Sequence, residues 1–190
     1  MKPLLLAALF AAVLCPFALA QGGPAETFTA MAVNMNRSGP GPKTTTVQIH
    51  IDHWTPPATR DRLINVLMQD GPDKLLDALR KTPRVGYIRT PDSIGYDLHY
   101  ATRKPTGDGG EQIDLATDRP IGYWEVSNQG LSLQYPFTVI ELRVKPDGSG
   151  EGKMSVATKI TADAKDKLIV LENYAQQPVL LQSVHRASAN

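Results

Sequence analysis

The stretch FTVIELRVKPDGSGEGKMSVATKIT, Phe137 to Thr161, decides how this chain folds. Two strand-like runs, Phe137 to Lys145 and Lys153 to Thr161, flank Pro146-Asp147-Gly148-Ser149-Gly150, a run of turn-forming residues. Strands joined so tightly must lie antiparallel, because a parallel pair needs a long crossover. The same grammar extends in both directions. Val85 to Arg89 and Ile94 to Thr102 are joined at Thr90-Pro91-Asp92-Ser93, and Gly107-Asp108-Gly109-Gly110 leads into Glu111 to Thr117. Lys167 to Tyr174 and Val179 to Arg186 read as a final pair around Gln176-Gln177-Pro178.

Upstream, Phe28 to Met35 alternates weakly. Thr44 to His53 alternates clearly, with Val47, Ile49 and Ile51 on one face and Gln48, His50 and Asp52 on the other. Between them, Ser38-Gly39-Pro40-Gly41-Pro42 suits only a turn. A helical segment spans about 57–81. Prolines suit its first turn, Leu63, Val66 and Leu67 share a stripe, and Asp70-Gly71-Pro72 divides it into two parts. The expected fold is α+β and predominantly antiparallel β: a strongly bent sheet or incomplete barrel of about nine strands with one helical segment. A two-sheet β-sandwich is the runner-up.

The chain opens with a leader. Lys2 precedes an apolar run from Leu4 to Val13, and Ala18-Leu19-Ala20 is the small-x-small pattern of a cleavage site. We expect 1–20 to be a cleaved signal peptide, 21–26 a disordered tail, 27–187 one β-rich domain and 188–190 a C-terminal tail. The expected location is the periplasm or the exterior of a bacterial cell. The only cysteine, Cys15, leaves with the leader, so the mature chain has no thiol for a disulfide, a metal or catalysis. Without Lys2, basic and acidic residues balance at 19 each. That neutrality argues against a nucleic-acid partner. No apolar run of the mature chain is long enough for a transmembrane helix.

Two constellations point to chemistry. Gln48-Ile49-His50-Ile51-Asp52-His53 resembles the H-x-H-x-D-H string of metallo-β-lactamase-type hydrolases, with Gln48 where the first histidine belongs. The resemblance implies a metal held by His50 and Asp52 with a distant histidine such as His99. It covers six residues, and that family's alternating β/α layers have no counterpart here. The second constellation is aromatic. Once Phe10 and Phe17 leave with the leader, most remaining rings lie between Tyr87 and Phe137. Tyr123, Trp124 and Tyr135 flank a polar loop containing Asn128, a combination suited to the wall of a small-molecule pocket. Tyr96 and Tyr100 read instead as core. Gly122-Tyr123-Trp124 is similar to the G-x-W of lipocalins, which lies on their first strand; here it falls mid-chain.

No cofactor motif is present: the glycine-rich turns lack the lysine and helix of a phosphate loop and the ligand spacing of a calcium loop. The sequence thus favours a non-catalytic envelope module that binds a small apolar or amphipathic ligand. An envelope protein–protein scaffold and a metal-assisted hydrolase using His50 and Asp52 are the alternatives.

Overall fold

The computed structural model describes residues 23–34, 43–91, 93–119, 121, 137–156, 159–163, 168–173 and 178–187. Eight strands close into a barrel: β1 (Glu26–Asn34), β2 (Lys43–Ile51), β3 (Gly86–Arg89), β4 (Tyr96–Pro105), β5 (Glu111–Thr117), β6 (Thr138–Val144), β7 (Ser149–Val156) and β10 (Val179–Arg186). From β1 to β7 each strand pairs antiparallel with the next in the chain, β7 pairs with β10, and β10 returns to β1, from Phe28 opposite Arg186 to Val33 opposite Leu180. Between β7 and β10 the chain forms a separate two-stranded sheet, β8 (Lys159–Asp163) with β9 (Leu168–Asn173).

This corrects the expected architecture in three ways. The sheet is closed rather than bent open, and no two-sheet sandwich forms; closure removes the edges that an open sheet would leave for stray pairing. The run Lys153 to Thr161 is not one strand, because its first part belongs to β7 and its second to β8, in different sheets. The final two strands do not pair with each other: β9 pairs with β8, and β10 with β1 and β7. Tight turns identify local partners, but barrel closure and hairpin insertion depend on contacts between segments far apart in sequence.

Two apolar clusters hold the fold. An eight-stranded barrel has an interior just wide enough for side chains to fill. Phe28, Ile49, Ile51, Leu98, Ile113, Leu115, Ile140 and Leu142 fill this one and have essentially no solvent exposure. The second cluster lies outside the wall. Helices α1 (Pro57–Asp70) and α2 (Pro72–Arg80) bury Leu63, Ile64, Leu67, Leu75, Leu76 and Leu79 against Tyr100, Ala116, Phe137 and Val139. Each helix begins with proline, where no amide partner is required. Gly71 separates them at φ 84°, a backbone state that side-chain-bearing residues resist.

One irregularity redirects half of β4. Leu98 pairs with Thr117 and Tyr100 with Ala116, so His99 is the extra residue of a bulge. Strict alternation would place Tyr100 on the same face as Tyr96 and Leu98. The bulge instead turns Tyr100 outward beneath the helices while Ala101 faces the interior. Tyr100 is a core residue, as expected, while Tyr96 is half-buried against the interior cluster. Ile94, read as part of the same strand, lies before it and is fully exposed.

Candidate functional site

In an up-and-down barrel, alternate turns lie at the same end. The turns after β4 and β6, the start of β1 and the end of β10 therefore converge. At this end the inward-facing positions change from apolar to charged within one step of two residues. Phe28 gives way to Glu26, Ala101 to Arg103, Ile113 to Glu111, and Val184 to Arg186. Charges of both signs so close to an apolar core require mutual pairing. Arg103 Nη1 donates to Glu26 Oε1 at 2.9 Å. Arg186 Nε lies 3.0 Å from Glu26 Oε2, off hydrogen-bond geometry, and Arg186 Nη2 contacts Glu111 Oε1. Both guanidinium groups also cover rings: Arg103 lies 4.7 Å from the Trp54 ring centre and Arg186 lies 5.2 Å from that of Phe28.

Around this layer lies a pocket of about 400 Å³. Arg60, Arg103, Lys104, Lys145 and Arg186 line it together with Trp54, and Glu111 is its only acidic lining residue among the described residues. Arg60 is paired with Asp61 at 3.0 Å, while Lys145 has no ion-pair partner among the described residues. Trp54 is 6 % exposed, and its buried indole N–H has no hydrogen-bond partner among the described residues. Gly23, just before β1, lies against both groups: a Cβ there would sit 3.1 Å from Arg103 Nη2 and 3.3 Å from Trp54 Nε1.

Two hydrogen-bonded turns frame the mouth. After β6, Lys145 N–H donates to Ser149 O at 2.7 Å and Gly148 turns at φ 81°. Asp147 accepts from the Ser149 amide and hydroxyl at 2.9 and 2.7 Å, which holds its carboxyl below the usual range. After β4, Asp108 accepts from Thr106 Oγ1 and the Gly110 amide and is held down in the same way. Beyond them lies a second pocket of about 700 Å³, lined by Asp108, Glu111, Arg143, Lys145, Glu151, Ser183 and His185, among others. Ser183 has φ 49° and sits where the β10–β7 register shifts between Leu181 and Val184.

The structure brings His50 and Asp52 together and places His99 elsewhere. His50 is on the outer wall of β2. Its Nδ1 meets Thr27 Oγ1 at 2.7 Å, its Nε2 lies 3.2 Å from Asp52 Oδ1, and its ring stacks on Tyr87 at 5.2 Å. Asp52 Oδ2 accepts from Arg84 at 3.1 Å, and Arg84 also reaches Asp97 at 3.6 Å. His99, the bulge residue, donates from Nδ1 to the Thr82 carbonyl at 2.6 Å, and its Nε2 lies 3.8 Å from Asp118. Among the described residues no group of three or more His, Cys, Asp or Glu stands where it could hold a metal ion. The proposed pocket wall of Tyr123, Trp124, Asn128 and Tyr135 lies outside the described residues.

A further ionisable group is buried in the wall. Asp114 on β5 is 3 % exposed, stands opposite Thr102 and Glu141, and accepts from Gln112 Nε2 at 3.0 and 3.2 Å. Burial pushes its pKa up to about 6, against the hydrogen bond from Gln112. Burial likewise raises the nearby Tyr100 hydroxyl to about 12.

The mouth residues were missed in the sequence because none belongs to a motif. The available signal was positional: Glu26, Arg103, Glu111 and Arg186 each continue an inward-facing apolar row at a strand end. No known protein family matches the chain, and no curated protein or solved structure is found similar to it.

Proposed function

We propose that this chain is an exported, non-catalytic module of the bacterial envelope that binds a small amphipathic anion at the mouth of its barrel. The observation that carries the reading is the buried, unpartnered indole N–H of Trp54 beside a pocket whose basic residues outnumber its acidic ones. A carboxylate or phosphate would accept hydrogen bonds from that mouth, and the exposed Pro105 and Pro146 at its rim suit an apolar part of the same ligand. The sequence reading also allowed a wholly apolar ligand inside a bent sheet. The packed interior favours the mouth instead, because Phe28, Leu115 and Ile140 occupy the space such a ligand would need.

The envelope-scaffold alternative would need an open strand edge to accept a partner strand. Barrel closure narrows it to strand addition at the β8–β9 hairpin. Among the described residues no helix is long and apolar enough to cross a membrane.

A thermal-shift screen of aromatic and aliphatic carboxylates and phosphates, each with its neutral amide or alcohol analogue, tests the reading. A ligand at about a hundred times its Kd stabilises by about 2.7 kcal/mol, a rise of several degrees. The anions should raise Tm and their neutral analogues should not; equal effects, or none from any anion, would refute the reading.

A further inference from the structure

The two pockets at the barrel mouth adjoin. Glu111, Val144 and Lys145 line both of them. Their charge differs in sign. The lobe beside Trp54 is bordered by Arg60, Arg103, Lys104 and Arg186. Among the described residues, the lobe beside Ser183 is bordered by three carboxylates, Asp108, Glu111 and Glu151, against two cations, Arg143 and the shared Lys145. Glu151 is exposed and makes no ion pair among the described residues, so its carboxylate is available to a ligand. A molecule spanning both lobes meets an excess of cations at one end and of carboxylates at the other.

We propose that the natural ligand is dipolar and extended: a short peptide with both termini free. Its C-terminal carboxylate lies in the lobe of Trp54, Arg103 and Lys145, and its protonated amine lies toward Glu151 and Asp108. This rests on the anion-binding reading above and adds the second lobe and the chemical class. Charge complementarity at both ends sets orientation, since a reversed peptide would put like charges together at each lobe.

The test uses the protein expressed with its leader and purified from the envelope. Its binding to a pool of tripeptides with free termini is compared, by native mass spectrometry, with the same pool as C-terminal amides and as N-acetyl derivatives. Succinate and indole-3-acetate serve as anions without an amine. Amidation should weaken binding about tenfold or more and acetylation by about three- to tenfold, the losses expected for a charge-assisted contact at a partly exposed site. Glu151→Gln should erase the preference for the free amine while keeping that for the free carboxylate, and Lys145→Ala should do the reverse. Both positions are exposed, so both variants should fold. If acetylated peptides or the simple anions bind as tightly as free peptides, the dipolar assignment is wrong while the anion site stands. If neither peptides nor simple anions bind, both fall.

Discussion

The interior of the barrel and its mouth are made by the same strands, two residues apart, and follow opposite chemistry. Inside, Phe28, Ile113 and Val184 have essentially no solvent exposure and belong to one apolar cluster. One step outward, Glu26, Glu111 and Arg186 form a charged layer whose members pair with one another. The first region gains stability by excluding water. The second gives up apolar burial for a set of oriented charges, a common compromise where a protein binds something. Stability should therefore be concentrated in the barrel and recognition at its mouth, and variants can separate the two.

The largest expected effect is in the interior. Leu115→Ala should cost about 2–5 kcal/mol, since a filled barrel cannot collapse around the cavity, and denaturant unfolding would measure it. At the mouth, Arg103→Ala should cost about 1–2 kcal/mol, because Arg103 is partly exposed and Arg186 stays beside Glu26, yet weaken anion binding about tenfold or more. If Arg103→Ala proved as destabilising as Leu115→Ala, the division between the regions would fail.

The wall between them carries a pH dependence. Asp114 binds its proton more tightly in the folded state, with a pKa of about 6 against 3.8. Its charged form is a penalty above pH 6, and stability contributed by this group rises as pH falls from 6 toward 3.8. Asp114→Asn should thus stabilise the protein by about 1–3 kcal/mol at pH 8 and leave it nearly unchanged at pH 4. Unfolding curves at the two pH values check this; equal effects at both would show that burial does not control the carboxyl. The smallest expected effect is at the second lobe. Ser183→Gly relieves a positive φ, partly offset by the freedom glycine adds to the unfolded chain, and should add about 0.5 kcal/mol, detectable as a small rise in Tm.

Much of the barrel was legible because its rules are local. The turn at Pro146–Gly150 fixed the β6–β7 hairpin, and alternation placed Val47, Ile49 and Ile51 in the core. The bulge at His99 was not legible, because an extra residue is defined by the strand opposite it. Barrel closure was hidden for the same reason: β1 and β10 meet although they lie at opposite ends of the domain. The site was harder still. His50 and Asp52 drew attention through their spacing, but both are engaged on the outer wall, by Thr27, Tyr87 and Arg84. Arg103 and Arg186 were inconspicuous because their significance comes only from being last in an inward-facing row.

The central claim is that this barrel holds an anionic ligand at its mouth. Native mass spectrometry of the protein expressed from its full-length sequence, beside the Arg103→Ala/Lys145→Ala double variant, tests it most directly. The account predicts excess mass on the wild-type protein that leaves on denaturation and carries an acidic group, and its loss from a double variant that remains folded. A bare wild-type chain, or the same bound mass retained by the folded double variant, would contradict it.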